Sequence, residues 1–216
     1  MTRRRVVVTG LGAISPVGNT VAEAWDAITN GRSGIGEITR FDTSSFPVKI
    51  AGEVRNFDVG AYLSPKEARR MDKFIHYGLA AGVQAFRDSG LEVNEANAHR
   101  IGVNIGSGIG GLPMIEDTHD DFLAGGARKI SPFFIPGTII NMISGNLSIM
   151  LGLKGPNIAV VTACTTGLHA IGMSARMIEY GDADVMVCGG SESSVTPLAV
   201  GGFADKKSAS NTSIPT

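Results

Sequence analysis

Short apolar runs that alternate with helical patterns constrain this chain more than any other feature of its sequence. Residues 5–9 form a β-branched run closed by Gly10-Leu11-Gly12, and residues 100–105, 158–162 and 183–188 form three more. Each reads as a buried strand. Between them, Thr20 and Glu23 have the spacing of a capping box and open a helix over residues 21–30, with Gly31 just past its end. Ser64-Pro65-Lys66-Glu67 repeats the signal with proline at the first helical position, and predicts a long helix ending near Gly90. Residues 135–151 are apolar with small residues interspersed, as in a helix buried on most of its surface, and residues 166–180 read as a further helix. Apolar strands separated by helices specify an α/β fold: a mostly parallel sheet with helices on both faces. No linker interrupts it. Residues from about 111 to 136 are more polar and read as an insertion. Residues 204–216 are small, polar and without period, and read as an irregular tail.

The 216 residues are 43% hydrophobic with a formal net charge of -1, enough for one sizeable core. Near-zero charge argues against nucleic acid as a partner, because counterion release needs clustered Lys and Arg. Arg3-Arg4-Arg5 followed by Val6-Val7-Val8 imitates a signal peptide, but Gly10, Gly12, Ser15 and Pro16 cut the apolar stretch short. No run approaches the ~20 apolar residues of a membrane span. Two cysteines do not make a disulfide framework, so a reduced, cytoplasmic protein is expected.

Cys164 carries the chemistry. The run 158–162 delivers it to the point where a helix begins, at the carboxyl edge of an open sheet, where ligands bind in such folds. A helix N-terminus offers unpaired N–H groups and partial positive charge, which favour thiolate over thiol and stabilise an oxyanion on a thioester carbonyl. Leu168, Ile171, Ala175 and Ile178 recur at helical spacing and are expected to seat the helix on the sheet, with Gly167 and Gly172 allowing close approach. The arrangement is a nucleophile elbow with Cys in place of Ser. A lone cysteine after a strand is as readily a small buried hydrophobe. The following Thr165-Thr166-Gly167 tips Cys164 to the nucleophile, whereas Cys188, inside an apolar run, reads as core.

His169, five positions after Cys164, reads as packing or capping, and His76, His99 and His119 show no partner signature. No His, Cys or carboxylate pair has metal-ligand spacing, so neither metal nor other cofactor is expected. Gly106, Gly108 and Gly111 satisfy G-x-G-x-x-G after a strand, and Gly10-Leu11-Gly12 resembles its opening. Neither is followed by a second strand ending in Asp or Glu, so a dinucleotide enzyme survives only as an outside reading.

These residues resemble the N-terminal half of a β-ketoacyl-acyl-carrier-protein synthase, a type II elongation condensing enzyme of thiolase-like fold. The resemblance rests on Arg4-Val-Val-Val-Thr-Gly-Leu-Gly, Gly106-Ser-Gly-Ile-Gly-Gly, Ile130-Ser-Pro-Phe-Phe-Ile-Pro, Gly155-Pro-Asn, Thr162-Ala-Cys-Thr-Thr-Gly, Tyr180-Gly-Asp-Ala-Asp-Val-Met and Pro197-Leu-Ala-Val-Gly-Gly-Phe. It implies one of two family halves over residues 1–203. It further implies that Cys164 takes a fatty acyl group from acyl carrier protein and condenses it with malonyl-carrier protein, losing CO2. Ile109, Ala163 and Phe203 are implied to border the acyl tunnel, with Phe134 contributed across a homodimer. Lys66, Arg69 and Arg70, at i, i+3 and i+4 of one helix face, and Arg128-Lys129 are then candidates for docking the acidic carrier. In the family a second half brings catalytic histidines and a lysine, and nothing after Phe203 corresponds to it. A truncated chain with an altered end is therefore expected, incomplete for condensation unless a partner supplies that half. The competing reading is a non-catalytic remnant that keeps only carrier or partner binding.

Overall fold

The computed structural model describes residues 4–204. In chain order, helix α1 (Val21–Thr29) is followed by strands β1 (Ile35–Glu37) and β2 (Ile50–Gly52), then helices α2 (Pro65–Ala68) and α3 (Lys73–Asp88). Strand β3 (Ile101–Gly106) leads to helices α4 (Leu112–Gly125), α5 (Phe134–Thr138) and α6 (Met142–Leu151). Strand β4 (Asn157–Ile158), helix α7 (Thr166–Tyr180), strand β5 (Val185–Gly190) and helix α8 (Pro197–Phe203) complete the order.

The central sheet is parallel, in the order β4-β3-β5, with Ile101 beside Val185 and Gly106 beside Gly190. Side chains alternate across a strand, and β3 uses its two faces differently. Ile101, Val103 and Ile105 join Phe74, Ile75, Leu79 and Val83 of α3 and Ile143 and Leu147 of α6 in the hydrophobic core. On the opposite face Asn104 donates to Ala170 O at 3.2 Å, which seats α7 there. Helices therefore cover both faces, as the sequence pattern predicts. The α7 face is closed by small residues.

That close packing corrects one expectation. Helix α7 meets the sheet through Thr166, Ala170 and Ser174, all buried, while Leu168 and Ile171 point away and are 69% and 48% exposed. Ala175 and Ile178 of the same stripe are half-buried, and the close contact is made by Thr166, whose Cγ2 lies 2.7 Å from where a Cβ on Gly106 would stand.

Other departures have similar local causes. Residues 5–9 form no strand, and Val7 and Val8 are exposed. No ladder partner lies beside them among the described residues. The segment is held instead by Arg4 on Asp184 and by Leu11 N–H on Asp88 Oδ2. Gly12 lies directly on α3, where an added Cβ would come within 1.9 Å of Ala81 O.

The long helix predicted from Ser64 stops at Ala68, despite a complete Ser64–Glu67 capping box. Asp72 starts a new helix by accepting Phe74 N–H at 3.1 Å. Residues 135–151 are likewise two helices, broken at Ile139 with an extended backbone, and α6 is buried only along Ile143, Ser144 and Leu147. In the run 158–162 only Ile158 belongs to a strand. The short β1–β2 hairpin had no alternating pattern to announce it. The polar segment read as an insertion contains the 14-residue α4. Its Glu116 accepts Leu198 N–H at the start of α8, at 3.3 Å. Of the tail over 204–216, only Ala204, which closes α8, lies within the described residues.

Candidate functional site

Cys164 sits in a single tight turn, Ala163–Thr165, between the sheet edge and α7. Thr165 N–H donates to Thr162 O at 3.2 Å, Thr165 Oγ1 to the same oxygen at 2.7 Å, and Thr162 N–H to Thr166 Oγ1 at 2.9 Å. Those bonds hold Ala163 at a φ of 52°, a left-handed conformation that costs a non-glycine residue on the order of 1–3 kcal/mol. Cys164 emerges exposed. Thr165, the N-cap of α7, makes no side-chain capping bond, and the positive end of the helix begins directly after the cysteine. A strained turn that opens a helix with an exposed nucleophile resembles an elbow, although the paired strand ends at Ile158, six residues before Cys164.

Cys164 opens on a cavity of about 480 Å³. Ile109, Ala163 and Phe203 line it too, so three of the four residues implied for an acyl tunnel meet at the cysteine. Phe134, half-buried at the start of α5, lines no part of it. Ser194 also lines the cavity, with a buried hydroxyl that has no hydrogen-bond partner.

Sequence reasoning overlooked Glu192. Ser191 N–H still bonds Gly106 O at 3.0 Å, so the chain leaves β5 tied to β3 and brings Glu192 over the 107–110 loop. Its carboxylate accepts from Ile109 N–H at 2.8 Å, Ser107 Oγ at 3.0 Å and Gly110 N–H at 3.2 Å. A Cβ on Gly108 would lie 2.9 Å from the same carboxylate. A carboxylate directly after a core strand, in Gly189-Gly190-Ser191-Glu192, was the signal that could have found it. This contact argues against the 106–111 run as a dinucleotide loop, because the amides that would cradle a pyrophosphate already bind a negative charge.

His169 points elsewhere. Its Nδ1 lies 2.7 Å from Thr162 Oγ1, and it lines a second, separate hollow with Leu168 and Arg176. No histidine lines the Cys164 cavity. Cys188 pairs beside Asn104 in the sheet; it is half-buried, not the full core residue expected, and desolvation still pushes its thiol pKa up. Among the described residues no cluster of His, Cys, Asp and Glu could hold a metal ion.

The basic residues do not form the single helical face expected. Lys66 lies on α2 and Arg69 caps its end, both exposed, but Arg70 falls beyond the helix. Its guanidinium stacks 4.0 Å above the Phe133 ring. Arg128 and Lys129 are exposed on the turn after α4.

Residues 3–216 match the family model described as Beta-ketoacyl synthase, N-terminal domain. The chain is 62% identical over 210 residues to a 3-oxoacyl-[acyl-carrier-protein] synthase 2 of Vibrio cholerae serotype O1, covering 97% of this chain and 51% of that protein. It is 59% identical over 204 residues to the protein of the same name from Coxiella burnetii, covering 94% and 49%. The chain thus spans about half the length of the relatives it matches. Among solved structures, the ishigamide ketosynthase/chain length factor superposes with a TM-score of 0.82 at 31% identity, over 94% of this chain and 51% of that one. A type II polyketide synthase acyl-carrier protein in complex with its ketosynthase gives 0.81 at 29%, over 96% and 56%.

Proposed function

The chain belongs to the beta-ketoacyl synthase family, and from that premise we propose that Cys164 is the acyl-accepting nucleophile of a 3-oxoacyl-[acyl-carrier-protein] synthase of fatty-acid elongation. The observation that carries this reading is the meeting of Cys164, Ile109, Ala163 and Phe203 around one cavity at the uncapped start of α7.

In the loading step, Cys164 Sγ bonds to the acyl carbonyl carbon of a thioester on acyl carrier protein. Thr165 N–H and Thr166 N–H are spent inside the turn, on Thr162 O and Ala163 O. The N–H of Cys164 itself is then the donor beside the developing oxyanion. Collapse breaks the carrier's C–S bond, and its thiol leaves with the proton that Cys164 gave up. In the condensation step the malonyl thioester loses CO2, its enolate carbon bonds to the acyl carbonyl, and Sγ leaves as thiolate. The enolate needs hydrogen-bond donors, and in the family those are imidazoles brought by the other half. This cavity's own lining supports the loading step.

The carrier would dock on Lys66, Arg69, Arg70, Arg128 and Lys129, in keeping with a solved neighbour that is a ketosynthase complexed with its carrier protein. A homodimer would bring Phe134 to the partner's tunnel, and exposed Ile130, Phe133, Ile135 and Ile139 around it give such a contact its apolar surface. A reducing cytoplasm suits the two free cysteines. Incubation with acyl-carrier protein should give an intact-mass adduct that Cys164→Ala abolishes. A folded sample that acquires no adduct overturns the reading and leaves carrier binding alone as the alternative.

A further inference from the structure

We propose that Glu192 is a positioning residue that sets which acyl chains reach Cys164, by fixing the 107–110 loop and with it the Ile109 side chain. The inference rests on the reading of the cavity as an acyl pocket, but it starts from an independent contact. One carboxylate gathers three neutral donors from a four-residue loop: Ile109 N–H on Oε2, and Ser107 Oγ and Gly110 N–H on Oε1. Gly110 N–H also reaches Ser107 Oγ at 3.1 Å, so the donors form one network.

Both ends of the loop are held by other bonds. Gly106 O receives Ser191 N–H, and Gly111 N–H donates to Thr138 O at 3.0 Å. Loss of the carboxylate therefore releases only the span between them, where Ile109 lines the cavity together with Cys164. Glu192 is itself exposed and lines the same cavity, so its role is not core packing. A carboxylate is also the side chain the donors require. An amide serves them less well: with its oxygen on Ile109 N–H its NH2 can give to Ser107 Oγ, but Gly110 N–H is then left with Ser107 Oγ alone. Aspartate is one methylene too short to reach from the same backbone position.

The test compares the whole chain with Glu192→Gln and Glu192→Ala. Amide hydrogen exchange is followed across 101–111. Alkylation of Cys164 by N-methyl and N-dodecyl iodoacetamide is read by peptide mass, which separates Cys188. These reagents need only an accessible thiol, so failure of acyl transfer from the carrier leaves this readout intact. In Glu192→Ala the Ile109 and Gly110 amides should exchange about tenfold faster or more, and in Glu192→Gln the Gly110 amide should, with β3 unchanged in both. The dodecyl-to-methyl rate ratio at Cys164 should shift about threefold or more, as expected when ~0.7 kcal/mol of chain discrimination is lost. A faster-exchanging loop with an unchanged ratio overturns the proposal, as does an unchanged loop. Loss of protection throughout β3 and α7 in Glu192→Gln makes the carboxylate a general structural support and also overturns it. Glu192→Gln decides the matter if Glu192→Ala does not fold.

Discussion

Asp72 Oδ2 accepts the Met114 N–H at 2.9 Å, so the residue that caps α3 also fixes the first turn of α4. Its Oδ1 takes Phe74 N–H, and its own N–H donates to Gly137 O at 3.0 Å. Asp72 is only 4% exposed. Asp72→Ala leaves one buried and one half-buried N–H without partners and should cost about 2–3 kcal/mol in urea unfolding. Asp72→Asn keeps one acceptor and should cost roughly half of that. Equal stability of all three proteins would show that the two bonds contribute nothing.

Gly106 and Gly172 should respond to alanine with opposite signs. A Cβ at Gly106 would come within 2.0 Å of Val160 O and 2.7 Å of Thr166 Cγ2, pushing on the segment that carries Cys164. Gly106→Ala should destabilise by about 1–3 kcal/mol and change the alkylation rate of Cys164. Gly172 lies inside α7 with nothing within 4 Å of an added Cβ, and Gly172→Ala should stabilise by about 0.5–1 kcal/mol. Denaturation midpoints of the two variants moving in the same direction would refute this assignment.

Acid should unlock Asp184. The Arg100 guanidinium forks onto both its oxygens, Arg4 adds a second cation, and together they hold its pKa down at about 2. A folded-state pKa below the ordinary carboxylate value of about 3.9 stabilises the fold above that pH, and the contribution is lost as pH falls toward about 2. Thermal melts of wild type and Asp184→Asn should therefore differ at pH 6 and converge near pH 2. A gap that stays constant across this range would mean that the carboxylate charge plays no part.

Charge reversal at Lys66 and Arg69 should act on carrier association. Both side chains are exposed, so Lys66→Glu with Arg69→Glu should lower the association rate of an acidic carrier about tenfold or more at low salt. The deficit should shrink as added salt shortens the screening length to about 8 Å or less. Surface-binding kinetics at two ionic strengths check this. A deficit insensitive to salt would point to misfolding instead of lost steering.

Much of the fold was legible because a parallel strand buried on both faces must be apolar or small throughout. Residues 101–106, buried throughout, show this directly, and residues 185–190 keep the apolar and small pattern although they are at most half-buried. Helix α7 was found to its exact bounds, Thr166–Tyr180, between the Thr165 cap and Gly181. The breaks were harder to read. Asp72 ends one helix and begins another partly because Met114, 42 residues away, claims its second oxygen. Leu168 and Ile171 obey a helical period that says which residues share a face but not which face meets the sheet.

By itself, the sequence determined that this is an α/β chain of the β-ketoacyl synthase kind with Cys164 at a strand-to-helix turn, because run length, capping residues and motif order are local properties. Only the tertiary structure decided what surrounds the thiol. Ile109 and Phe203 are 55 and 39 positions from Cys164 in sequence, and they meet it because β3, β5 and α8 end at the same edge of the sheet. Glu192 holds Ile109 across 83 positions. A hydrogen bond at that separation depends on strand order and register, which no local pattern encodes.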